Sequence, residues 1–284
     1  MRFYKYHGTG NDFVILDGFT GTPVPSAGEV EAWCRRHTGI GADGVIHTAP
    51  SEAGGDARMR IFNADGSEAE MCGNGIRCLA KYLYERAGIT RKEMLIETAA
   101  GMKSLRLEVE EGMVREVEVD MGMPDLASPD LPSYGDPSRP GMVNLELGNG
   151  ASLEVFCVSM GNPHCVIPVG DIEEAPVATL GPEIEVHPAF PRRTNVEFME
   201  PRGGDRLLVR VWERGVGETR ACGTGACAAA VSAVNLGRSS FPVRVTLPGG
   251  DLVISADEHG HLLMRGPAVE VFMGELSPSF YTDR

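Results

Sequence analysis

The chain has 284 residues, a hydrophobic content of 42%, a charged content of 23% and a formal net charge of −14. This is the composition of a globular protein, long enough for one large domain or two ordinary ones. The acidic balance without a basic cluster argues against nucleic acid or an anionic membrane as partner, and no apolar run approaches the length of a membrane span.

The N-terminus opens as a strand, Phe3 to Tyr6, with no signal-peptide pattern, so a cytoplasmic location is expected. His7-Gly8-Thr9-Gly10-Asn11-Asp12 reads as a turn and Phe13 to Asp17 as a buried strand. Val30, Trp33 and Cys34 suggest a short helix that stops near Gly39. The GxGxxG at Gly39 to Gly44 follows a helix and opens a strand, the reverse of a dinucleotide fingerprint, and is read as a helix-to-strand turn. A strand over Arg58 to Asn63 leads into Glu70-Met71-Cys72-Gly73-Asn74-Gly75. There Ile76, Leu79, Ala80, Leu83 and Ala87 mark one face of a helix that ends before Gly88. Cys72 is thus expected at a helix N-terminus, where outward-facing N–H groups favour anions and lower a thiol's pKa. Met94 to Thr98 and a hairpin turning at Glu110-Glu111-Gly112 follow. Five prolines between Met123 and Pro140 then mark a linker or irregular excursion.

The second half repeats the first. Ala221-Cys222-Gly223-Thr224-Gly225 answers the Cys72 loop, and Arg60 and Arg210 each lie 12 residues ahead of their cysteine (72 − 60 and 222 − 210). Gly161-Asn162 answers Gly10-Asn11 at an offset of 151 (162 − 11), against 150 for the cysteines (222 − 72). The run from Ala226 to Leu236 is apolar nearly all round, as a helix buried on every side would be. Leu252 to Ala256 and Leu262 to Met264 form a closing hairpin, and Val269 to Leu276 is an extra strand expected to return to the first domain. The expected fold is α/β (α+β). It comprises two homologous pseudo-symmetric domains, each a mostly antiparallel, barrel-like sheet wrapped around a central helix. Residues 1–121 with 268–284 form the first, carrying Cys72; residues 122–267 form the second, carrying Cys222.

A duplicated cysteine loop points to chemistry. Two thiols, one from each domain, are expected to flank one molecule in a shared cleft. One as thiolate removes a proton from one face of a carbon, and the other as thiol returns one to the opposite face, so the pair needs unequal protonation. The two helix N-termini would hold a carboxylate and stabilise the charge that develops beside it. The seven cysteines (34, 72, 78, 157, 165, 222, 227) include no CxxC, and with the seven histidines they form no zinc pattern, so no metal is expected.

The run from Asn63 to Cys78 resembles the signature of the diaminopimelate epimerase family. So do His7 to Phe13, Gly161 to His164, Thr194 to Phe198, Trp212 to Gly215 and Ala221 to Gly225, in the family's order and over essentially the whole chain. The resemblance implies a cofactor-independent epimerase of LL- and meso-2,6-diaminopimelate, in lysine and peptidoglycan precursor synthesis. It implies Cys72 and Cys222 as the two-base pair, with Gly73, Asn74, Gly223 and Thr224 on the reacting carboxylate. It assigns Asn11, Asn63, Asn162, Asn195, Glu213 and Arg214 to the rest of the substrate. Arg214 suits the distal carboxylate and Glu213 an ammonium. His164 and Glu213 are expected to assist by adjusting protonation, and a homodimer is implied. Gly44 departs from relatives that carry a polar side chain there. Two rivals keep the thiols: a proline-type racemase, and a redox protein cycling a Cys72–Cys222 disulfide. A third, a non-catalytic carboxylate-binding module, would function without them. Pyridoxal phosphate is not required, and none of the four lysines (5, 81, 92, 103) sits in a recognisable cofactor loop.

Overall fold

The computed structural model describes residues 1–282; of the segment 268–284, residues 283 and 284 lie outside the described residues. The chain divides into two compact units, Met1–Val119 with the segment from Arg265 onward, and Asp120–Met264.

The first unit begins with β1 (Arg2–Gly8), β2 (Asn11–Asp17), α1 (Ala27–Cys34), β3 (Gly44–Ala49), β4 (Ala57–Asn63) and β5 (Glu68–Ala69). It continues with α2 (Gly73–Glu85), β6 (Glu93–Thr98), β7 (Gly101–Glu110) and β8 (Met113–Gly122). Ser26 starts α1 through a capping box with Glu29. At the β7–β8 turn Glu111 and Gly112 both have positive φ, +50° and +78°, as a tight hairpin with right-handed twist requires. Most pairings are antiparallel, but β2·β3 and β4·β6 are parallel. The second of these is a crossover made by α2, which places that helix against β1, β2, β3, β4 and β7. Period-two alternation gives the strands two faces. Val45 joins Trp33, Val30 and Phe62 under α1, whereas Ile46 and Ile61 turn toward α2.

The second unit runs through β9 (Met142–Glu146), β10 (Ser152–Ser159), β11 (Pro163–Pro168), α3 (Val177–Glu185), β12 (Asn195–Pro201), β13 (Arg206–Glu213) and β14 (Gly217–Thr219). Then come α4 (Gly223–Asn235), β15 (Val243–Leu247), β16 (Gly250–Ala256) and β17 (Leu262–Pro267). The proline-rich stretch before β9 carries only an isolated bridge, Asp125 to Ser159. The pattern of the first unit returns, with β11·β12 and β13·β15 parallel and α4 as the crossover. Registers match as well: Phe13 lies opposite Gly44 on β2·β3, and His164 opposite Asn195 on β11·β12, a shift of 151 at both positions. Two homologous domains of one design, each a mostly antiparallel sheet around a helix, are therefore present. From Ala226 to Ala230 every residue of α4 is buried, and these are alanines and one cysteine, which let strands approach on all sides. Val196 and Phe198 of β12 pack outward with Ile184, Phe190 and Trp212, leaving Asn195 and Glu197 on the face toward α4.

The chain then adds β18 (Val269–Glu275), which pairs antiparallel with β1, and α5 (Ser279–Thr282). Among the described residues no helix is long and apolar enough to cross a membrane.

Candidate active site

Both duplicated cysteines are helix N-caps. Cys72 precedes α2 with φ −141° and ψ 119°; Cys222 precedes α4 with φ −122° and ψ 118°. An extended N-cap aims its side chain back over the first turn, so each sulfur accepts an N–H three residues on. Gly75 N donates to Cys72 Sγ at 3.4 Å and Gly225 N to Cys222 Sγ at 3.3 Å. This is the environment that stabilises a thiolate.

Around Cys72 the first unit assembles amides. Cys72 Sγ lies 3.8 Å from Asn11 Oδ1, which also accepts from Asn74 Nδ2 at 3.4 Å. Asn11 Nδ2 donates to Asp43 Oδ2 at 2.9 Å, and this fixes which end of the Asn11 amide faces the thiol. Beneath them Arg77 is fully buried. Its guanidinium donates to Gly73 O at 3.0 Å, Asn74 Oδ1 at 2.9 Å and Pro267 O at 3.3 Å, holding the first turn of α2 in place. Asn63 stands apart at the exposed end of β4, where Nδ2 donates to Ser67 Oγ at 3.0 Å across the turn. At Gly44 a Cβ would lie 2.6 Å from Phe62 O, so this chain's close β3–β4 packing excludes any side chain there.

Around Cys222 the second unit is more polar and more enclosed. Cys222 is only 6% exposed, and its Sγ lies 3.5 Å from Thr224 Oγ1. Asn162 Nδ2 reaches Thr224 Oγ1 at 3.5 Å, and Asn162 Oδ1 lies 3.0 Å from His164 Nε2. Thr219 hydrogen-bonds Glu213 Oε1. Burial pushes the Glu213 carboxyl up, with the Glu197 charge adding to it, while the Thr219 and Cys222 hydrogen bonds oppose. Burial also pushes the Cys222 thiol well up, with the negative charges of Glu213 and Glu197 adding to it. At this cysteine, therefore, desolvation outweighs the helix N-terminus. Asn195 is buried, and its amide bonds the backbone with one N–H and one lone pair, Nδ2 to Pro163 O at 3.1 Å and Oδ1 from Arg214 N at 3.0 Å. It braces the loop that carries Arg214, whose exposed guanidinium donates to Arg192 O at 3.0 Å.

The structure thus groups Cys72, Asn11 and Asn74 in one unit, and Cys222, Thr224, Asn162, His164 and Glu213 in the other. The Asn63 amide bonds across its own turn to Ser67 rather than to the first group. Sequence reasoning misses Asp43, Arg77 and Glu197. For Glu197 a signal exists: 151 residues earlier the same strand position holds Ile46. Cys78 and Cys227 are wholly buried in the two helices and Cys34 is buried at the end of α1, as packing residues are. Among the described residues no group of three or more His, Cys, Asp and Glu could hold a metal ion.

The fold is that of racemases and epimerases with paired α+β domains. It matches a hydroxyproline epimerase from Agrobacterium vitis at a TM-score of 0.71, with 15% identity over 99% of this chain and 93% of that one. A probable proline racemase from Agrobacterium radiobacter matches at 0.70, with 16% identity over 98% and 93%. Sequence narrows the class. The diaminopimelate epimerase family model matches residues 3–127 and 156–271. A diaminopimelate epimerase from Pelotomaculum thermopropionicum is 52% identical over 97% of this chain and 98% of its own. One from Moorella thermoacetica is 51% identical over 97% and 99%. The chain belongs to the diaminopimelate epimerase family.

Proposed function

We propose that the chain interconverts LL- and meso-2,6-diaminopimelate without a cofactor, supplying lysine and peptidoglycan precursors. Cys72 and Cys222 are the two bases: one thiolate takes the α-proton, and the other thiol delivers a proton to the opposite face. The observation that carries this reading is the pair of cysteine N-caps, in a chain that matches its family almost end to end.

The first-turn N–H groups of Gly73, Asn74, Gly223 and Thr224 receive the reacting carboxylate, whose negative charge grows as the proton leaves. Asn11, Asn63, Asn162 and Asn195 line the rest of the substrate. Arg214 takes the distal carboxylate in a forked contact, and Glu213 takes an ammonium. His164 and Glu213 adjust protonation near Cys222. The protein works in the cytoplasm as a homodimer; the dimer is supported by β18, which exposes Val271 and Met273 at 53% and 60%.

The test is conversion of LL-diaminopimelate by the purified, freshly reduced protein with no cofactor added, followed by chiral chromatography, with L-proline and trans-4-hydroxy-L-proline in parallel. Conversion of diaminopimelate alone is expected. Turnover of the proline substrates instead would transfer the reading to the proline-type racemases.

A further inference from the structure

The two cysteine loops match in backbone and differ in what lies beneath them. In the first unit, the three atoms nearest to a Cβ built on Gly75 would be the side-chain ends of Ile46, Ile61 and Met59, at 3.1 to 3.3 Å. In the second, a Cβ built on Gly225 would meet Glu197 Oε1 at 2.8 Å and Cys222 Sγ at 3.3 Å. The carboxylate oxygen and the sulfur are therefore no further apart than the sum of those distances, about 6 Å. The difference follows the repeat. Phe13 and Ile46 of the first unit become His164 and Glu197 at the shared shift of 151.

His164 and Glu197 are both fully buried, with His164 Nδ1 2.7 Å from Glu197 Oε1. Burying two ionisable groups where the sister domain has two apolar ones is unfavourable for stability, so a use elsewhere is implied. Glu197 Oε2 has no hydrogen-bond partner, which leaves part of the carboxylate's charge uncompensated beneath the thiol. From His164 a line of contacts runs to the thiol: Nε2 to Asn162 Oδ1 at 3.0 Å, Asn162 Nδ2 to Thr224 Oγ1 at 3.5 Å, and Thr224 Oγ1 to Cys222 Sγ at 3.5 Å.

We infer that Glu197 is a positioning residue that makes the two thiols unequal, orienting His164 and holding Cys222 in the protonated form in the free enzyme. Cys72, over an apolar floor, is then the thiolate of the resting pair. The inference rests on the two-thiol reading above. Glu213 from β13, Glu197 from β12 and His164 from β11 are the titratable groups brought to this corner, with Cys165 also beside Glu197. The Glu213 and Glu197 charges both act to raise the Cys222 thiol. Removing one of them lowers it.

The experiment follows alkylation of each cysteine by iodoacetamide against pH, with quantitation of the Cys72 and Cys222 peptides by mass spectrometry. It needs no turnover and no variant for its first result. In the native protein the Cys222 midpoint is expected above that of Cys72; an equal or lower midpoint overturns the proposal. In Glu197→Gln the Cys222 midpoint is expected to fall by about one to two pH units, as for one charge within about 6 Å, while Cys72 stays in place. Glu197→Asp is expected to restore most of the difference. A Glu197→Gln protein that loses activity with both midpoints unmoved reduces Glu197 to a structural role. If the midpoints behave as expected but no diaminopimelate is turned over, the proposed substrate fails and the electrostatic assignment stands.

Discussion

Alanine at the third residue of each helix probes the two cysteine loops separately. Gly75→Ala places a methyl 3.1 Å from the flexible ends of Ile46 and Ile61, which can move by a few tenths of an ångström. Replacing glycine in a helix gains about 0.5–1 kcal/mol, so stability is expected within about 1 kcal/mol of the parent. Gly225→Ala meets Glu197 Oε1 at 2.8 Å, and that oxygen is held by His164 at 2.7 Å. Overpacking of this kind costs about 1–3 kcal/mol, and a weakened charge-assisted hydrogen bond adds about 1–2 kcal/mol. Less the glycine gain, a net loss of about 1–4 kcal/mol is expected, together with lower epimerase activity. Urea denaturation and initial rates on both variants make the comparison. Equal behaviour of the two would refute the claim that the loops rest on different floors.

Arg77→Met keeps the volume but strips the buried donors from Gly73 O, Asn74 Oδ1 and Pro267 O; a loss of about 3–5 kcal/mol is expected from urea midpoints, and a change under about 1 kcal/mol contradicts it. Asp12 gives a pH dependence. Its burial raises the carboxyl, but Arg36 and Lys5 more than offset this and hold it at about 2. A lowered carboxyl stabilises the fold above its ordinary value near 3.9 and loses that contribution as pH falls toward about 2. Asp12→Asn is expected to remove about 1–2 kcal/mol of the acid-side slope in urea titrations, and an unaltered slope argues against it.

Much of this is readable from residue order. The repeat offset sets out the paired domains, and Cys-Gly-polar-Gly ahead of an apolar run puts both thiols at helix N-termini. The glycine-rich turn at 39–44 does run from α1 into β3. Helix α3 is not legible in the sequence, because Gly181 and Pro182 sit inside it and its helicity comes from packing against Trp212 rather than from propensity. Arg77 looks like an exposed helix residue; only the tertiary structure shows acceptors converging on it. The His164–Glu197 pair escapes because single polar residues in a strand look solvated. Comparing the repeats position by position, Phe13 with His164 and Ile46 with Glu197, is the step that exposes them.

The most direct test of the two-thiol account is α-hydrogen exchange in D2O, followed by NMR with LL-diaminopimelate and no added cofactor. The parent protein is expected to exchange and epimerise, while Cys72→Ala and Cys222→Ala each lose epimerisation. Epimerisation at the parent rate by either variant would contradict the account.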